Sequence, residues 1–141
     1  MSGSDARALS RSLLDLCRMR KLTIATAESC TGGLVAGALT DIPGSSDVID
    51  RGFVTYSNEA KRTMLGVMAS TLESFGAVSK ETAIAMAVGA LERAGVDLAV
   101  SITGRSGSKL RKLRGSTAGA RQSRLLPHCR PACSAPGSIR F

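Results

Sequence analysis

Leu22-Thr23-Ile24-Ala25-Thr26 runs directly into Ala27-Glu28-Ser29-Cys30-Thr31-Gly32-Gly33 and then into Leu34-Val35-Ala36-Gly37-Ala38-Leu39. The first five residues are nearly all apolar or β-branched, as a strand covered on both faces requires. The next seven are small and polar and end in paired glycines, so the chain turns there. The last six return to apolar character. Strand, glycine-containing turn and helix in that order make an α/β unit. Open sheets of this kind bind ligands outside the carboxyl ends of their strands, where helix N-termini offer N–H groups to anions. Glu28, Ser29, Thr31, Gly32 and Gly33 fall at that place. The plainer alternative is a Ser or Thr cap with glycines that only let the chain turn.

Working outward, Leu9, Leu13, Leu14, Leu16 and Cys17 recur at helical spacing among Ser10, Arg11, Asp15 and Arg18, which predicts an amphipathic helix ending near Arg20. Beyond the Pro43-Gly44-Ser45-Ser46 loop, Gly52–Ser57 has strand composition, and Asn58 is placed to cap a helix that carries Lys61 in its first turn. Ser79 precedes a long helical pattern from Thr82 to Ala94 with Ile84, Ala87, Val88 and Leu91 on one face. Asp97–Thr103 reads as another buried strand that meets a loop at Gly104.

The 141 residues are 43% hydrophobic, 21% charged and 3% aromatic, which suits one domain with an aliphatic core. Ten basic and eleven acidic residues lie in 1–104, a net charge of −1, whereas 105–141 hold nine basic residues and no acid. The isoelectric point of about 10.1 therefore describes a basic stretch joined to a nearly neutral domain. Arg, Ser, Pro, Gly and Ala dominate Arg105–Phe141, and such a composition is expected to be disordered. No apolar run approaches the roughly 18–20 residues of a membrane span, and Met1–Arg20 lacks a signal core, so a cytoplasmic protein without membrane contact is expected. Cys17, Cys30, Cys129 and Cys133 do not form a disulfide framework and read as reduced thiols.

Tyr56 at a strand end and Lys61 on a helix start could enter the same crevice as Ser29. A serine needs a base to become a nucleophile, and a desolvated lysine can serve. The competing reading is a surface lysine and an interfacial tyrosine. Thr103 and Gly104 could bring a hydroxyl and a close backbone approach to the same edge, or simply end a strand. Gly104–Lys109 lacks the spacing of a phosphate loop, and His128, Cys129 and Cys133 fall short of a four-ligand zinc site, so no metal is expected. The basic stretch lacks interleaved aromatics, which makes specific nucleic-acid binding the least favoured reading.

Ala27–Gly33, Thr40–Ser46 and Arg51–Lys61 together closely resemble the CinA C-terminal domain family, and Gly76–Ser79 and Ala99–Gly104 extend the resemblance to roughly residues 5–104. It implies a three-layer α/β/α fold with a mixed sheet. It also implies deamidation of nicotinamide mononucleotide to nicotinic acid mononucleotide and ammonia, with a homo-oligomer, a small-molecule nucleotide substrate, and neither metal nor cofactor. Carried over by position, Ser29 is the nucleophile, Lys61 its base, and Tyr56 a hydrogen-bonding partner that orients the pair. Thr31, Gly32, Gly33, Thr103 and Gly104 line the nucleotide or oxyanion side, and Glu28 supports the turn.

At Gly104 the chain departs from the family, which continues with a glycine-rich G-x-A-G-P-x-G-G-S loop and K-P-x-G. The expectation is a partial domain over 1–104, followed over 105–141 by the kind of composition a GC-rich gene yields when read out of frame. An incomplete sheet would leave apolar faces and strand edges open. A noncatalytic nucleotide-binding or assembly module is accordingly the alternative to an active amidase.

Overall fold

The computed structural model describes residues 3–105 and 115–118. In chain order the elements are α1 (Gly3–Arg20), β1 (Ile24–Glu28), α2 (Leu34–Thr40), a 3-10 turn at Ser45–Asp47, β2 (Ile49–Val54), α3 (Asn58–Leu65), α4 (Ala69–Phe75), α5 (Lys80–Ala94), β3 (Leu98–Ile102) and β4 (Gly115–Ala118). The strands lie in the order β2-β1-β3-β4. The first two pairings are parallel and the third is antiparallel, so the sheet is mixed.

Every residue of β1 is buried, because helices cover both faces of the sheet. On one face, Leu14 and Cys17 of α1 pack with Ile24, Ile42 and Val48. On the other, Met86, Ala90 and Leu91 of α5 pack with Ala25, Ala27, Ala99 and Leu65. The result is the expected three-layer α/β/α arrangement. Two glycines permit its closest approaches. A Cβ on Gly89 would stand 1.9 Å from the Leu65 carbonyl oxygen, and one on Gly52 would stand 2.8 Å from Thr26 Oγ1 and 3.0 Å from Ala36 Cβ.

From β1 the chain crosses to β2 on one side and then to β3 on the other. Strand order therefore reverses beside β1, and the crevice at its carboxyl end is the place where such sheets take ligands. Glu28 pairs with both Val54 and Ile102, which brings the ends of three strands together.

Several details differ from the sequence reading. The strand expected at Leu22–Thr26 runs from Ile24 to Glu28, whose carboxylate oxygens accept from main-chain N–H groups at the start of α2. Helix α3 is capped by Ser57, whose Oγ accepts from Ala60 N at 3.0 Å, and Asn58 is its first residue. Leu9, Leu13 and Leu16 are exposed, and Leu14 and Cys17 alone of that apolar set are buried. Helix α4 over Ala69–Phe75 is absent from the sequence reading. Finally, the domain expected to close at Gly104 gains β4 from beyond it; the segment Gly-Ser-Thr-Ala has no apolar pattern and is held by main-chain pairing to β3. Apart from Arg105 and 115–118, the basic stretch expected to be disordered lies outside the described residues. So do the rejected phosphate loop beyond Arg105 and the cluster His128, Cys129 and Cys133.

Candidate active site

Ser29 leaves β1 at the reversal point. Its N–H donates to the Ile102 carbonyl at 2.9 Å, which anchors Ser29 to β3, and Thr55 N donates to the Glu28 carbonyl at 2.7 Å, which anchors the end of β1 to the chain after β2. The Ser57 cap starts α3 so that Lys61 falls in the first turn. A helical side chain leans toward the helix N-terminus, and the Lys61 amine therefore returns to the strand ends rather than reaching solvent.

Lys61 is 1% exposed. Its Nζ lies 3.1 Å from Ser29 Oγ, 2.9 Å from the Thr55 carbonyl, 3.3 Å from that of Tyr56 and 3.5 Å from that of Ser57. All four oxygens are uncharged. Burial accordingly pushes the Lys61 pKa below its ordinary value, and the nearby Cys30 opposes this in smaller measure. A neutral amine has two N–H donors and one lone pair. With the donors directed to the Thr55 and Tyr56 carbonyls, the lone pair is left for the Ser29 hydroxyl.

Glu28 is fully buried. Its carboxylate accepts from Gly33 N at 3.1 Å, Val35 N at 3.1 Å and Ala36 N at 2.8 Å. The helix end that the sequence offers to an anionic ligand is thus occupied by this side chain, and the positive end of α2 compensates the buried charge. Gly32 and Gly33 carry φ of +59° and +104°, conformations that open the turn around Glu28. Thr31 Oγ1 is buried without a hydrogen-bond partner among the described residues.

The remaining expected residues meet the site in different ways. Tyr56 contributes its carbonyl to Lys61, while its side chain is 63% exposed. Thr103 Oγ1 donates to the Ala77 carbonyl at 2.6 Å and so ties the end of β3 to the segment after α4. Gly104 abuts the turn after β1, since a Cβ there would stand 3.0 Å from Cys30 Sγ. Sequence reasoning missed Thr55 and Cys30. Thr55 acts through a main-chain oxygen, which no residue type announces, whereas Cys30 was legible as the neighbour of Ser29.

A sequence model of the CinA C-terminal domain matches residues 6–119. The chain belongs to the CinA C-terminal domain family. Among its relatives, nicotinamide-nucleotide amidohydrolase PncC of Escherichia coli (strain K12) is 51% identical over 107 residues, covering 76% of this chain and 65% of PncC. A CinA-like protein of Chloroherpeton thalassium is 60% identical over 93 residues, 66% of this chain and 22% of that protein. The crystal structure of competence/damage inducible protein CihA from Agrobacterium tumefaciens superposes with a TM-score of 0.72 at 55% identity, over 74% of this chain and 64% of that one. The chain thus spans about a fifth of the CinA-like relative's length and just under two thirds of PncC's. Among the described residues, no helix is long and apolar enough to cross a membrane.

Proposed function

We propose that this CinA-family chain carries a serine–lysine amidohydrolase site for nicotinamide mononucleotide. The observation that carries the reading is the 3.1 Å approach of a buried Lys61 amine to Ser29 Oγ. The name of the relative PncC, a nicotinamide-nucleotide amidohydrolase, supports the substrate class.

In this mechanism neutral Lys61 takes the Ser29 proton as Oγ attacks the carboxamide carbon. The tetrahedral intermediate collapses as Lys61 returns that proton to the departing ammonia. A water that gives its proton to Lys61 then attacks the acyl-enzyme, and Lys61 passes that proton to the departing Ser29 oxygen, releasing nicotinic acid mononucleotide and regenerating Ser29. The N–H groups of Ser29, Gly32, Gly33 and Leu34 are committed to Ile102, Ser29, Glu28 and Thr31. Among the described residues the main-chain N–H groups of Cys30 and Thr31 remain, and in this reading they are the oxyanion donors. Tyr56 orients Lys61 through its carbonyl. Thr31, Gly32, Gly33 and Gly104 line the substrate side, Thr103 holds the β3 end, and Glu28 holds the turn. The setting of this chemistry is cytoplasmic.

Ammonia release from nicotinamide mononucleotide by the full chain tests the reading. Ser29→Ala is expected to abolish it, and Lys61→Ala to lower it by about 10²–10⁴-fold, the usual worth of a general base. A folded chain without ammonia release, or one unaffected by Ser29→Ala, would overturn it. The second reading, a noncatalytic nucleotide-binding module, is favoured by the absence of the family's glycine-rich loop after Gly104. It predicts saturable nucleotide binding with no product.

A further inference from the structure

Helix α5 is apolar on two sides. Met86, Ala87, Ala90 and Leu91 are buried, whereas Ile84 and Val88, which the sequence periodicity groups with Ala87 and Leu91, are 39 and 40% exposed. They form one wall of a groove of about 430 Å³. Met68 and Phe75, at the two ends of α4 and 67 and 54% exposed, form the other. The floor is low because Gly66 and Gly89 place no side chain there, and α5 meets α3 at the Leu65 carbonyl without room for a Cβ on Gly89. The groove runs open along α5 from Glu81 to Glu92, a length of about 16 Å or three turns.

Each end of the groove holds a carboxylate. Among the described residues neither Glu81 nor Glu92 has an ion pair, and the neighbouring cations Lys80 and Arg93 do not line the groove. Glu81, Ala85, Val88 and Glu92 recur at helical spacing, so carboxylate, apolar, apolar and carboxylate follow one another along a single face of α5. A small-molecule site gathers a few polar groups around one enclosed point. Here the lining charges stand three turns apart with an apolar surface between them, which matches the length and pattern of a helix laid in a groove. The flexible thioether of Met68 lets its wall adapt to such an occupant.

We propose that this groove docks an amphipathic helix of a partner protein, one that presents two apolar side chains a turn apart between two Lys or Arg residues about three turns apart. The cations meet Glu81 and Glu92, and the apolar pair settles between Met68 and Phe75 on one side and Ile84 and Val88 on the other. Docking is independent of the amidase reading, since neither Ser29 nor Lys61 lines the groove.

Fluorescence anisotropy with the full chain and a labelled, alanine-based helical peptide of fifteen residues tests this. The peptide carries arginine at its second and thirteenth positions and leucine at its sixth and ninth, and saturable binding is expected. Val88→Gln is expected to weaken it by about 30-fold, the loss of a central anchor. Glu81→Lys and Glu92→Lys are each expected to weaken it by about 5-fold, because an exposed ion pair turns repulsive. A peptide with glutamate in place of both arginines should bind the doubly substituted chain within about 3-fold of the parent pair, and the parent chain more weakly. All three changed residues are exposed, and far-ultraviolet circular dichroism checks that each variant folds. Absence of binding, binding indifferent to Val88→Gln, or a charge-swapped pair no tighter than the mismatched ones would overturn the proposal. So would displacement of the probe by an equimolar peptide of residues 119–141, or dissociation of an oligomer by the probe, since these assign the groove to this chain's own end or to a second copy.

Discussion

At the residue scale, Glu28 and Lys61 are both fully buried ionisable groups, and they are accommodated in opposite ways. Glu28 keeps its carboxylate supplied with three N–H donors from the start of α2. Glu28→Ala strands those donors in the interior and is expected to cost about 3 kcal/mol in urea unfolding, with Glu28→Gln costing less. Lys61 faces only neutral oxygens, so its folded-state pKa is lowered by burial. The unfolded chain then binds the proton more readily, and stability rises with pH from the depressed folded value up to the unfolded value of about 10.4. Lys61→Met removes this dependence. Its stability relative to the parent should be greatest at neutral pH and decline as pH climbs through that interval, as urea titrations at stepped pH would record. The same shift places the rising limb of kcat/KM below the ordinary lysine range, and Lys61→Arg, which cannot deprotonate, should eliminate that limb together with the activity.

At the element scale, the site depends on where helices start and how closely they pack. Ser57 rather than Asn58 caps α3. Ser57→Ala is therefore expected to cost about 1 kcal/mol in thermal or urea unfolding, and Asn58→Ala only a few tenths. Helix α5 touches the C-terminal end of α3 at Gly89, where a Cβ would meet the Leu65 carbonyl at 1.9 Å. Gly89→Ala must push the two helices apart, at an expected cost of about 3 kcal/mol or more measured by denaturant midpoint. Because α3 carries Lys61, that displacement should lower the proposed amidase activity even in molecules that remain folded.

At the scale of the whole molecule, chain order decides which residues become neighbours. Ser29, Lys61 and Gly104 lie far apart in sequence and meet because strand order reverses beside β1. The family match reaches residue 119, and β4 extends the sheet beyond Gly104, although the sequence after that residue carries none of the family's glycine-rich loop. If residues from 105 onward are an out-of-frame reading, as we propose, another frame of the coding DNA beyond codon 104 encodes that loop and the K-P-x-G that follows it. Resequencing checks this. Chains carrying the restored segment are then expected to release ammonia faster than the present one.

The sequence by itself determined the α/β class, the glycine-containing turn after β1 and the long helix behind Ser79, because periodicity and local turn chemistry act over a few residues; the roles proposed for Ser29 and Lys61 came from the family resemblance. Periodicity also yielded the first helix. It did not separate Leu14, which is buried, from Leu13, which is exposed, since one residue's rotation around a helix is decided by what packs against it. Tertiary structure alone decided that Glu28 closes the end of α2, that Thr103 is tied to Ala77, and that Tyr56 meets Lys61 through a carbonyl. Those outcomes depend on distances between main-chain groups remote in sequence, which side-chain identity does not encode locally.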